Sequence, residues 1–433
     1  MTLLFLILCF ICLIFLGFPF AFATLIPSTI SFLAFEVAPP FVVFQRMFTS
    51  IDSFPILAVP MFILAGLLMN EIGITQRIVR LADALVGYIR GSLAHVNIVA
   101  SMLFAGISGS AVADSAGLGA MLIPAMVKNG YDEDFSAAVT AASSVVGPII
   151  PPSITVVIYC LVDPRVSVGA LFMAGVIPGI LICLGLMVVA YFIARRRGYE
   201  RGRWKGFKNL VRSVRESFGA LLMPLIILGG ILSGLFTPTE ASTIAVAYGI
   251  LVGFLAYRTL TFKGLVRCIA KAAVTSCTIL FIMATAKVFS WLLSVEGAAR
   301  GLVNVIQSLN IANPYLFLVL LMLILLVFGC FIEGLAEIII LVPLFVPLFK
   351  VFGGAISPLH FAELVIMVIN ISLLTPPLGL CLYTVTNICE KTRLEGVIKA
   401  TMPFFLYEAL LLFVLCFTPS VVIFLPRLLR LIK

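Results

Sequence analysis

Two proline-broken segments constrain the fold of this chain more than any other feature. Each lies in the middle of a long apolar stretch, and their sequences are Ser143-Ser144-Val145-Val146-Gly147-Pro148-Ile149-Ile150-Pro151-Pro152-Ser153 and Ile371-Ser372-Leu373-Leu374-Thr375-Pro376-Pro377-Leu378-Gly379. Because proline has no N–H, it leaves helix carbonyls without donors, here those of Ser144, Gly147, Pro148, Ser372 and Leu373. Free carbonyls at membrane depth are tolerated only where protein or a polar cavity satisfies them, and a small cation suits them. Two broken helices, one in each half, predict a secondary transporter.

The composition places this chain in a membrane. Of its 433 residues, 62% are hydrophobic and 11% are charged, and the mean hydropathy is +1.24. No β-barrel alternation is present, so we predict an all-α polytopic membrane protein. We expect residues 3–34 to form a retained first helix, long or bent at Gly17 and Pro19. A signal peptide is the alternative, but the basic n-region is missing and the apolar stretch exceeds the roughly 7–15 residues of an h-region.

The positive charge is concentrated in one segment. Residues 195–217 hold nine Lys and Arg against two Glu, and so carry +7 of the net charge of +9. This pattern indicates a cytoplasmic loop that fixes topology, with binding of anionic lipid as a compatible addition. It does not indicate a nucleic-acid partner. The ten cysteines are scattered singly through apolar stretches, which is typical of small buried hydrophobes and not of a metal site.

The basic loop separates two halves, 1–194 and 218–433, with parallel inventories. In the first half we predict spans at 3–34 and 51–70, an amphipathic stretch at 74–88, an interrupted run at 92–128, a broken helix at 133–161 and a span at 166–194. In the second half we predict spans at 218–236, 238–257 and 275–295, an amphipathic stretch at 298–309, an interrupted run at 314–350, a broken helix at 361–389 and a span at 397–425.

The interrupted runs are predicted to be re-entrant helical hairpins. The first is interrupted at Ser108-Gly109-Ser110 and again at Asp114-Ser115, and the second near Glu333-Gly334. Residues 93–107 give only about 22 Å of helix, short of the ~30 Å hydrocarbon core. Counting spans from the cytoplasmic loop makes the two hairpins enter from opposite faces. The halves are therefore predicted to be inverted repeats, the layout expected of alternating access. The terminal cations Arg427, Arg430 and Lys433 would then lie outside, against the positive-inside rule.

Oxygen donors are expected where each hairpin tip faces a broken helix. The first site takes its oxygens from the hydroxyls of Ser108 and Ser110 and from carbonyls of the Gly147–Pro152 break; the second takes them from Gly334, Ser372, Thr375 and Leu378, with backbone carbonyls where the side chain is apolar. Oxygen-only ligation without a carboxylate cluster suits a monovalent hard cation. The alternative is that the prolines only kink helices and the small residues only allow close packing.

Isolated charges in apolar runs are functional by default because they are costly there. Asp114, Glu333 and Glu337 are interpreted either as proton-coupling groups, as polar locks at the hairpin tips or as structural hydrogen-bonding groups. Lys287 pairs with a carboxylate, lines a cavity or contacts a partner subunit, and the sequence does not choose among these. The residues that we expect around a substrate are Ser108, Gly109, Asp114, Ser153, Glu333 and Gly379.

Two other classes of membrane protein fit poorly. Gly106-Ile107-Ser108-Gly109 matches the pattern of intramembrane serine proteases, but a serine nucleophile needs a base within hydrogen-bond reach. The chain has two histidines: His95 lies roughly 20 Å along the same helix from Ser108, and His360 falls on the opposite face. A primary pump is also disfavoured, because no phosphate-binding Gly-x4-Gly-Lys-Ser/Thr loop is present.

The whole chain resembles the large membrane subunit of tripartite ATP-independent periplasmic (TRAP) transporters, within the wider ion transporter superfamily. The residues that carry the resemblance are Val59-Pro60-Met61-Phe62-Ile63-Leu64-Ala65-Gly66, Gly106-Ile107-Ser108-Gly109-Ser110-Ala111-Val112-Ala113-Asp114, Ile149-Ile150-Pro151-Pro152-Ser153, Gly234-Leu235-Phe236-Thr237-Pro238-Thr239-Glu240-Ala241 and Leu373-Leu374-Thr375-Pro376-Pro377-Leu378-Gly379-Leu380.

The resemblance implies a function and a set of partners. It implies sodium-coupled uptake of an organic acid anion such as sialic acid or a C4-dicarboxylate, delivered by a periplasmic substrate-binding protein, across the bacterial inner membrane. It implies a small four-helix membrane subunit, expected here as a separate chain. It also implies an elevator mechanism, with one sodium ion at Ser108, Ser110, Gly147 and Ile150, another at Gly334, Ser372 and Thr375, and the substrate between the tips. A stand-alone carboxylate or ion symporter or exchanger of the same superfamily is the alternative.

Overall fold

The architecture is helical throughout the part of the chain that is described. The computed structural model describes residues 2–308, 313–352 and 354–432. Within those ranges there are twenty α-helices, and the extended pairing is limited to one isolated bridge between Arg90 and Arg201. Seven of these helical segments are long and apolar enough to cross a membrane. The expected all-α polytopic membrane protein is therefore confirmed.

The N-terminal apolar stretch forms two helices. Helix α1 (Thr2–Phe15) and helix α2 (Phe20–Ala34) pack against each other, with the ring centroids of Phe5 and Phe35 5.4 Å apart. The chain reverses between them, where Gly17 adopts a φ of +80° that favours glycine. The prediction of one first helix, long or bent, is therefore wrong, because the expected bend is a full reversal.

The rest of the first half follows the predicted order. Its helices are α3 (Phe41–Ile51), α4 (Ala58–Glu71, after a 3-10 turn at Phe54–Leu57), α5 (Ile74–Val86), α6 (Ser92–Ser108), α7 (Ala111–Lys128), α8 (Glu133–Ser144), α9 (Ile154–Val162) and α10 (Val168–Arg196). Helices α6 and α7 are the arms of the first hairpin, and α8 and α9 are the two parts of the first broken helix. Only Gly109 and Ser110 interrupt the hairpin; Asp114 and Ser115 lie inside α7, so the second predicted interruption is wrong.

The second half contains the remaining ten helices. Its helices are α11 (Phe207–Leu232), α12 (Pro238–Leu251, extended by a π-turn at Val252–Ala256), α13 (Phe262–Val295), α14 (Ala298–Ser308), α15 (Pro314–Gly329), α16 (Gly334–Phe345, then a 3-10 segment at Val346–Phe352), α17 (Pro358–Ser372), α18 (Leu380–Thr386), α19 (Leu394–Phe417) and α20 (Pro419–Leu428).

Two predicted boundaries change in this half. Helix α11 takes up the last eleven residues of the predicted cytoplasmic loop, which leaves 197–206 as the connection. The predicted last span is divided at Pro419, which opens α20 because proline is tolerated at the first position of a helix. Residue 309 of the second amphipathic stretch and Lys433 lie outside the described residues.

Many of the helix contacts fall into two groups, which meet where α13 packs against α16, where α5 and α4 pack against α6, and where α4 packs against α9. In one group α2 packs against α13, α4 packs against α12 and α13, and α11 packs against α5 and α12. In the other group the halves interlock: α8 packs against α19, α7 against α18, α9 against α16, and α10 against α17. At the end of this second group, Glu133 accepts hydrogen bonds from the backbone N–H of Glu390 (2.8 Å) and Lys391 (3.0 Å). Both broken helices therefore belong to one interlocked body.

The stretch Phe236-Thr237-Pro238-Thr239-Glu240-Ala241 has a local structural role. Thr237 caps α12: its hydroxyl accepts a hydrogen bond from the N–H of Glu240 (3.3 Å), and its own N–H donates to the Glu240 carboxylate (2.8 Å). Pro238 occupies the first helical position, where its missing N–H costs nothing. The Thr239 hydroxyl donates to the carbonyl of Phe54 (3.2 Å), which joins α12 to the turn before α4. The motif thus fixes a helix start, as a capping box does.

Candidate functional site

The tip of the first hairpin touches the first helix break directly. Helix α6 ends at Ser108, and Gly109 turns the chain with a φ of +60°. Ser110 then caps α7 by accepting a hydrogen bond from the N–H of Ala113 (3.4 Å). A Cβ atom on Gly109 would lie 3.0 Å from the carbonyl oxygen of Pro152, which is tighter than ordinary packing allows. Gly109 is therefore required both for its conformation and for this close approach.

A fully buried carboxylate lies between that tip and that break. Asp114, in the first turn of α7, accepts a hydrogen bond from the Ser108 hydroxyl through Oδ1. Its Oδ2 atom has no hydrogen-bond partner among the described residues. A Cβ atom on Gly147 would lie 2.7 Å from Oδ2, so the glycine leaves the space that the carboxylate uses. The contact with Ser108 closes the tip, and the start of α7 favours negative charge at this position.

The first break leaves a different set of carbonyls free from the one we predicted. The Ser144 carbonyl accepts a hydrogen bond from the N–H of Gly147 (3.0 Å), so the prediction that it is released is wrong. The carbonyls of Gly147 and Pro148 receive no hydrogen bond from the described residues, as predicted. Ser153 caps α9 by accepting a hydrogen bond from Val156 N–H (3.3 Å). The chain tightens into short-range turns before the prolines, and these turns satisfy the first carbonyl of the break.

The second hairpin tip is hydrogen-bonded to the second break. The carbonyl of Cys330, just after α15, accepts a hydrogen bond from the N–H of Leu378 (3.0 Å). The Cys330 Sγ atom lies 3.1 Å from the Thr375 hydroxyl, which donates in turn to the carbonyl of Ser372 (2.6 Å). The carbonyl of Leu373 also accepts a hydrogen bond, from the N–H of Cys381 (3.3 Å). The prediction that the Ser372 and Leu373 carbonyls are free is therefore wrong.

The second tip contains its own buried carboxylate. Glu337 occupies the fourth position of α16, as Asp114 does in α7, and it is likewise fully buried. Neither of its carboxylate oxygens has a hydrogen-bond partner among the described residues. A Cβ atom on Gly329 would lie 3.0 Å from Glu337 Oε2 and would overlap the Ser372 hydroxyl. Each tip thus combines a glycine, a hydroxyl and one carboxylate within contact range of one another.

The predicted site residues differ in how directly they meet. Ser108, Gly109, Asp114 and Gly147 converge at the first tip, and Ser372, Thr375 and Leu378 converge at the second. The remaining predicted residues occupy the rim or a neighbouring surface. Ser110, Ser153, Glu333 and Gly379 are the N-cap residues of α7, α9, α16 and α18. The Ile150 side chain fills the space beside Gly179, and Gly334 packs against Ile369.

Hydroxyls, carbonyls and single carboxylates are donors that hard cations prefer. Within the described ranges, no cluster of three or more His, Cys, Asp or Glu offers a transition-metal site.

Several relevant residues were missed by the sequence reasoning. Cys330 bonds the second tip to the second break, and its position beside the tip was the signal. Glu363 in α17 and Glu408 in α19 are fully buried, with carboxylate oxygens that have no partner among the described residues. A Cβ on Gly175 would lie 3.4 Å from Glu363 Oε1. Both glutamates lie within apolar stretches of their helices, where a charge is costly. The reasoning that identified Asp114 as a candidate functional group therefore applies to them as well.

The residues of the protease alternative do not assemble. The ring nitrogen Nε2 of His95 is hydrogen-bonded to the carbonyl of Arg90 (3.1 Å), and that of His360 to the carbonyl of Leu415 (2.9 Å). Ser108 donates its hydrogen bond to Asp114. The geometry that a serine nucleophile needs, with histidine as its base, is not formed by these residues.

A polar cluster ties the loop before α8 to the segment after α10. The hydroxyl of Tyr199 donates to Asp132 Oδ2 (2.7 Å) and, together with Arg197 at 2.5 Å, lowers the pKa of the Asp132 carboxyl. Lys205, in the same connection, forms an ion pair with Asp83 of α5. The basic connection thus pairs several of its charges with neighbouring loops and with α5.

The hairpins, the broken helices and the carboxylates at their tips define a polytopic protein with a transporter fold. The Alcanivorax borkumensis YdaH transporter shares this fold, with a TM-score of 0.58 and 15% identity over 88% of each chain. Residues 7–421 match the family described as the tripartite ATP-independent periplasmic transporter, DctM component. The chain belongs to this family, and it is therefore a TRAP transporter large permease.

Curated relatives agree with this assignment. The chain is 42% identical, over 84% of its length and 86% of the relative's, to the sialic acid TRAP transporter large permease protein SiaM of Vibrio cholerae. It is 40% identical, over 89% of its length, to the sialic acid TRAP transporter permease protein SiaT of Haemophilus influenzae, and the match spans 62% of that longer protein. It is 35% identical, over 88% of both chains, to the C4-dicarboxylate TRAP transporter large permease protein DctM of Pseudomonas aeruginosa.

Proposed function

We propose that this chain is the membrane permease of a binding-protein-dependent secondary transporter that imports an organic acid anion together with sodium. The observation that carries the proposal is the matched pair of tips. In each, a fully buried carboxylate at the start of the second hairpin helix lies where a glycine leaves room for it. At the first tip, the free carbonyls of Gly147 and Pro148 complete a set of oxygens. Such a set favours a cation the size of sodium over a transition metal.

The contacts at the tips support the following ligands. The first sodium ion is held by Ser108, Ser110 and the carbonyls of Gly147 and Ile150, and the second by Gly334, Ser372, Thr375 and Leu378. Asp114 and Glu337 complete the two donor sets, because each is buried and retains carboxylate oxygens that no described residue satisfies. A buried carboxylate without a partner is costly, and a bound cation removes that cost.

The proposed substrate is a carboxylate of the sialic acid class. The relatives with 42% and 40% identity are named for sialic acid, whereas the relative named for C4-dicarboxylates is 35% identical, so C4-dicarboxylates are the second candidate. The substrate lies between the tips, near Ser108, Gly109, Asp114, Ser153, Glu333 and Gly379. Four helix N-termini begin at the tips and breaks, those of α7, α9, α16 and α18. Helix N-termini attract anions, so the substrate carboxylate can bind there without an arginine.

The proposed mechanism is an elevator built from two inverted repeats. Helices α6–α10 and α15–α20 form the moving body, supported by the interlocking of the two halves across α8 and α19 and across α7 and α18. Helices α2, α4, α11, α12 and α13 form the fixed body. Glycines lie at part of the boundary between the two bodies: a Cβ on Gly66 would lie 3.3 Å from the carbonyl of Ile107, and a Cβ on Gly106 would lie 3.1 Å from Pro224. At these two points no large side chain interdigitates, which lowers the cost of sliding there.

The proposed partners are a small membrane subunit and a soluble substrate-binding protein on the outer side of the bacterial inner membrane. Support comes from membership of the tripartite family and from the relatives named as large permease proteins. The alternative is a stand-alone symporter or exchanger with the same fold, which would need neither partner.

The test is uptake into liposomes that hold this chain with its small membrane subunit. Labelled sialic acid and labelled C4-dicarboxylate are offered separately, with and without binding protein, under an inward sodium gradient. We expect uptake of sialic acid only when sodium and binding protein are both present. Sodium-dependent uptake without binding protein would establish the stand-alone carrier instead. Uptake driven by a proton gradient and indifferent to sodium would refute the proposed sodium sites.

A further inference from the structure

A lysine without a counter-charge among the described residues lies on the exposed face of a membrane-spanning helix. Lys287 belongs to α13, which is 34 residues long and apolar enough to span the membrane. Its side chain is exposed on the surface of the chain, between buried neighbours. No carboxylate among the described residues lies within ion-pair distance of its ammonium group. A lysine in such a position is costly and marks a functional contact by default.

The depth of Lys287 follows from the ends of the helix. The N-terminal end of α13 is basic: Arg267 lies 3.9 Å from Glu71 at the end of α4, and Lys271 follows one turn later. By the positive-inside rule, this end of the helix is cytoplasmic. Lys271 and Glu296 bracket about 37 Å of helix, and Lys287 precedes Glu296 by nine residues. With a ~30 Å hydrocarbon core centred between those two residues, the Cα atom of Lys287 lies about 10 Å inside the outer boundary.

A second cation, Arg46, lies near the same face of α13. The guanidinium of Arg46, on α3, lies 4.8 Å from the ring centroid of Trp291, one turn beyond Lys287 on α13. Trp291 stacks in turn on Phe32 (5.7 Å between ring centroids), and tryptophan is typical of the membrane–water interface. Arg46 is exposed, has no ion pair among the described residues, and repels the Lys287 ammonium group. We name Arg46, Lys287 and Trp291 the cationic patch.

The geometry of the patch disfavours a lipid headgroup as its occupant. Side chains on an α-helix point toward its N-terminus, which for α13 is the cytoplasmic end. Lys287 therefore points away from the nearer, outer headgroups. To reach them it would have to turn against this direction and approach Arg46, a like charge. A carboxylate that enters at the depth of Lys287 needs neither change.

We propose that the cationic patch is the docking point for a carboxylate side chain on a membrane-spanning helix of the small membrane subunit. The existence of that partner rests on the proposed function, and the patch supplies the charge complementarity that orients it. The carboxylate lies between the Lys287 ammonium and the Arg46 guanidinium, and Trp291 packs against the incoming helix. A desolvated pair of this kind fixes register and orientation between two apolar surfaces that otherwise carry little specificity.

The experiment measures complex formation, not transport, so it gives a result whether or not the proposed substrate is correct. The small subunit is co-expressed with this chain, and the tagged large subunit is purified in detergent. We expect Lys287→Met to lower the amount of small subunit recovered by about tenfold, as loss of a buried charge pair does, and Lys287→Arg to retain it. Lys271→Glu is the matched control, because Lys271 is an exposed lysine on the same helix and the substitution reverses its charge. We expect this variant to recover the small subunit within about twofold of the native chain, as for a screened surface charge.

A charge exchange identifies the partner residue. Lys287→Glu is combined in turn with replacement by lysine of each acidic residue in the spans of the small subunit, and one combination is expected to restore recovery. Unchanged recovery with both Lys287→Met and Lys287→Glu would overturn the proposal. A second outcome would also overturn it. In that outcome the native chain binds the small subunit in phosphatidylcholine vesicles only when phosphatidylglycerol is added, and the Lys287→Met chain binds the small subunit without phosphatidylglycerol. The occupant of the patch would then be a lipid phosphate. Size-exclusion profiles of each variant alone establish that it is folded.

Discussion

The fit between Gly147 and the Asp114 carboxylate leads to a sharp prediction for Gly147→Ala. The new methyl group would lie 2.7 Å from Asp114 Oδ2 and 3.1 Å from the carbonyl oxygen of Ser144. Gly147 is not among the residues with positive φ, so alanine is excluded by space and not by backbone conformation. The carboxylate must therefore move away from the break, and its hydrogen bond from Ser108 weakens or breaks.

The size of the effect follows from these contacts. Overpacking a tight interior costs about 1–3 kcal/mol, and a hydrogen bond to a charged group contributes about 1.5–3 kcal/mol. Since the carboxylate relaxes partly, we take about 1.4–2.8 kcal/mol as the loss at the site, which corresponds to a ten- to hundredfold weaker affinity. The sodium concentration that gives half-maximal uptake should rise by that factor, with little change in the amount of folded protein.

The assay is uptake into proteoliposomes at a series of sodium concentrations. Gly117→Ala is the matched control, because Gly117 lies on the same helix as Asp114 and a Cβ there meets no atom within 4 Å. In an Asp114→Ala background, Gly147→Ala should change the sodium dependence little further, because the 2.7 Å contact with the carboxylate is gone. The reasoning is refuted if Gly147→Ala and Gly117→Ala show the same sodium dependence, or if the two substitutions at Gly147 and Asp114 act additively.

Three further predictions concern the tips and the loop before α8. Gly109→Ala should lower the melting temperature of the purified protein, because alanine strains a φ of +60° and its Cβ would lie 3.0 Å from the carbonyl oxygen of Pro152 in the first helix break; a melting temperature equal to that of the native protein would contradict this. Thr375→Val should weaken sodium-dependent uptake more than Thr375→Ser, since only serine keeps a hydroxyl for Cys330, and equal uptake by the two variants would rule out the hydrogen bond as the cause. The lowered pKa of Asp132 contributes stability above the unfolded pKa of about 3.9, and this stability is lost as the pH falls through the folded pKa. Asp132→Asn should therefore be less stable than the native protein at pH 7, and the difference in melting temperature should shrink below about pH 4; a difference independent of pH would exclude the interaction with Tyr199 as its source.

The sequence by itself determined the order of elements and the position of each break. Runs of apolar residues fix where membrane-spanning helices form, because unpaired backbone groups are too costly in the hydrocarbon. Proline and glycine act locally, so the hairpin tip at Gly109 and the breaks after Ser144 and Ser372 could be located from residue type alone. The buried acids carry the same kind of local signal, since a charge in an apolar run is conspicuous.

Only the tertiary structure decided which groups meet. The reversal at Gly17, which separates α1 from α2, depends on packing between two short helices and not on a residue pattern. The Ser144 and Ser372 carbonyls are satisfied by short-range turns whose formation the proline positions do not dictate. The fit of Asp114 against Gly147, and of Glu337 against Gly329, joins residues that are 8 to 33 positions apart in the chain. Such contacts depend on how two helices are placed against each other, and a sequence pattern reports only the face of each helix, so neighbours between helices follow from the packing of the whole bundle.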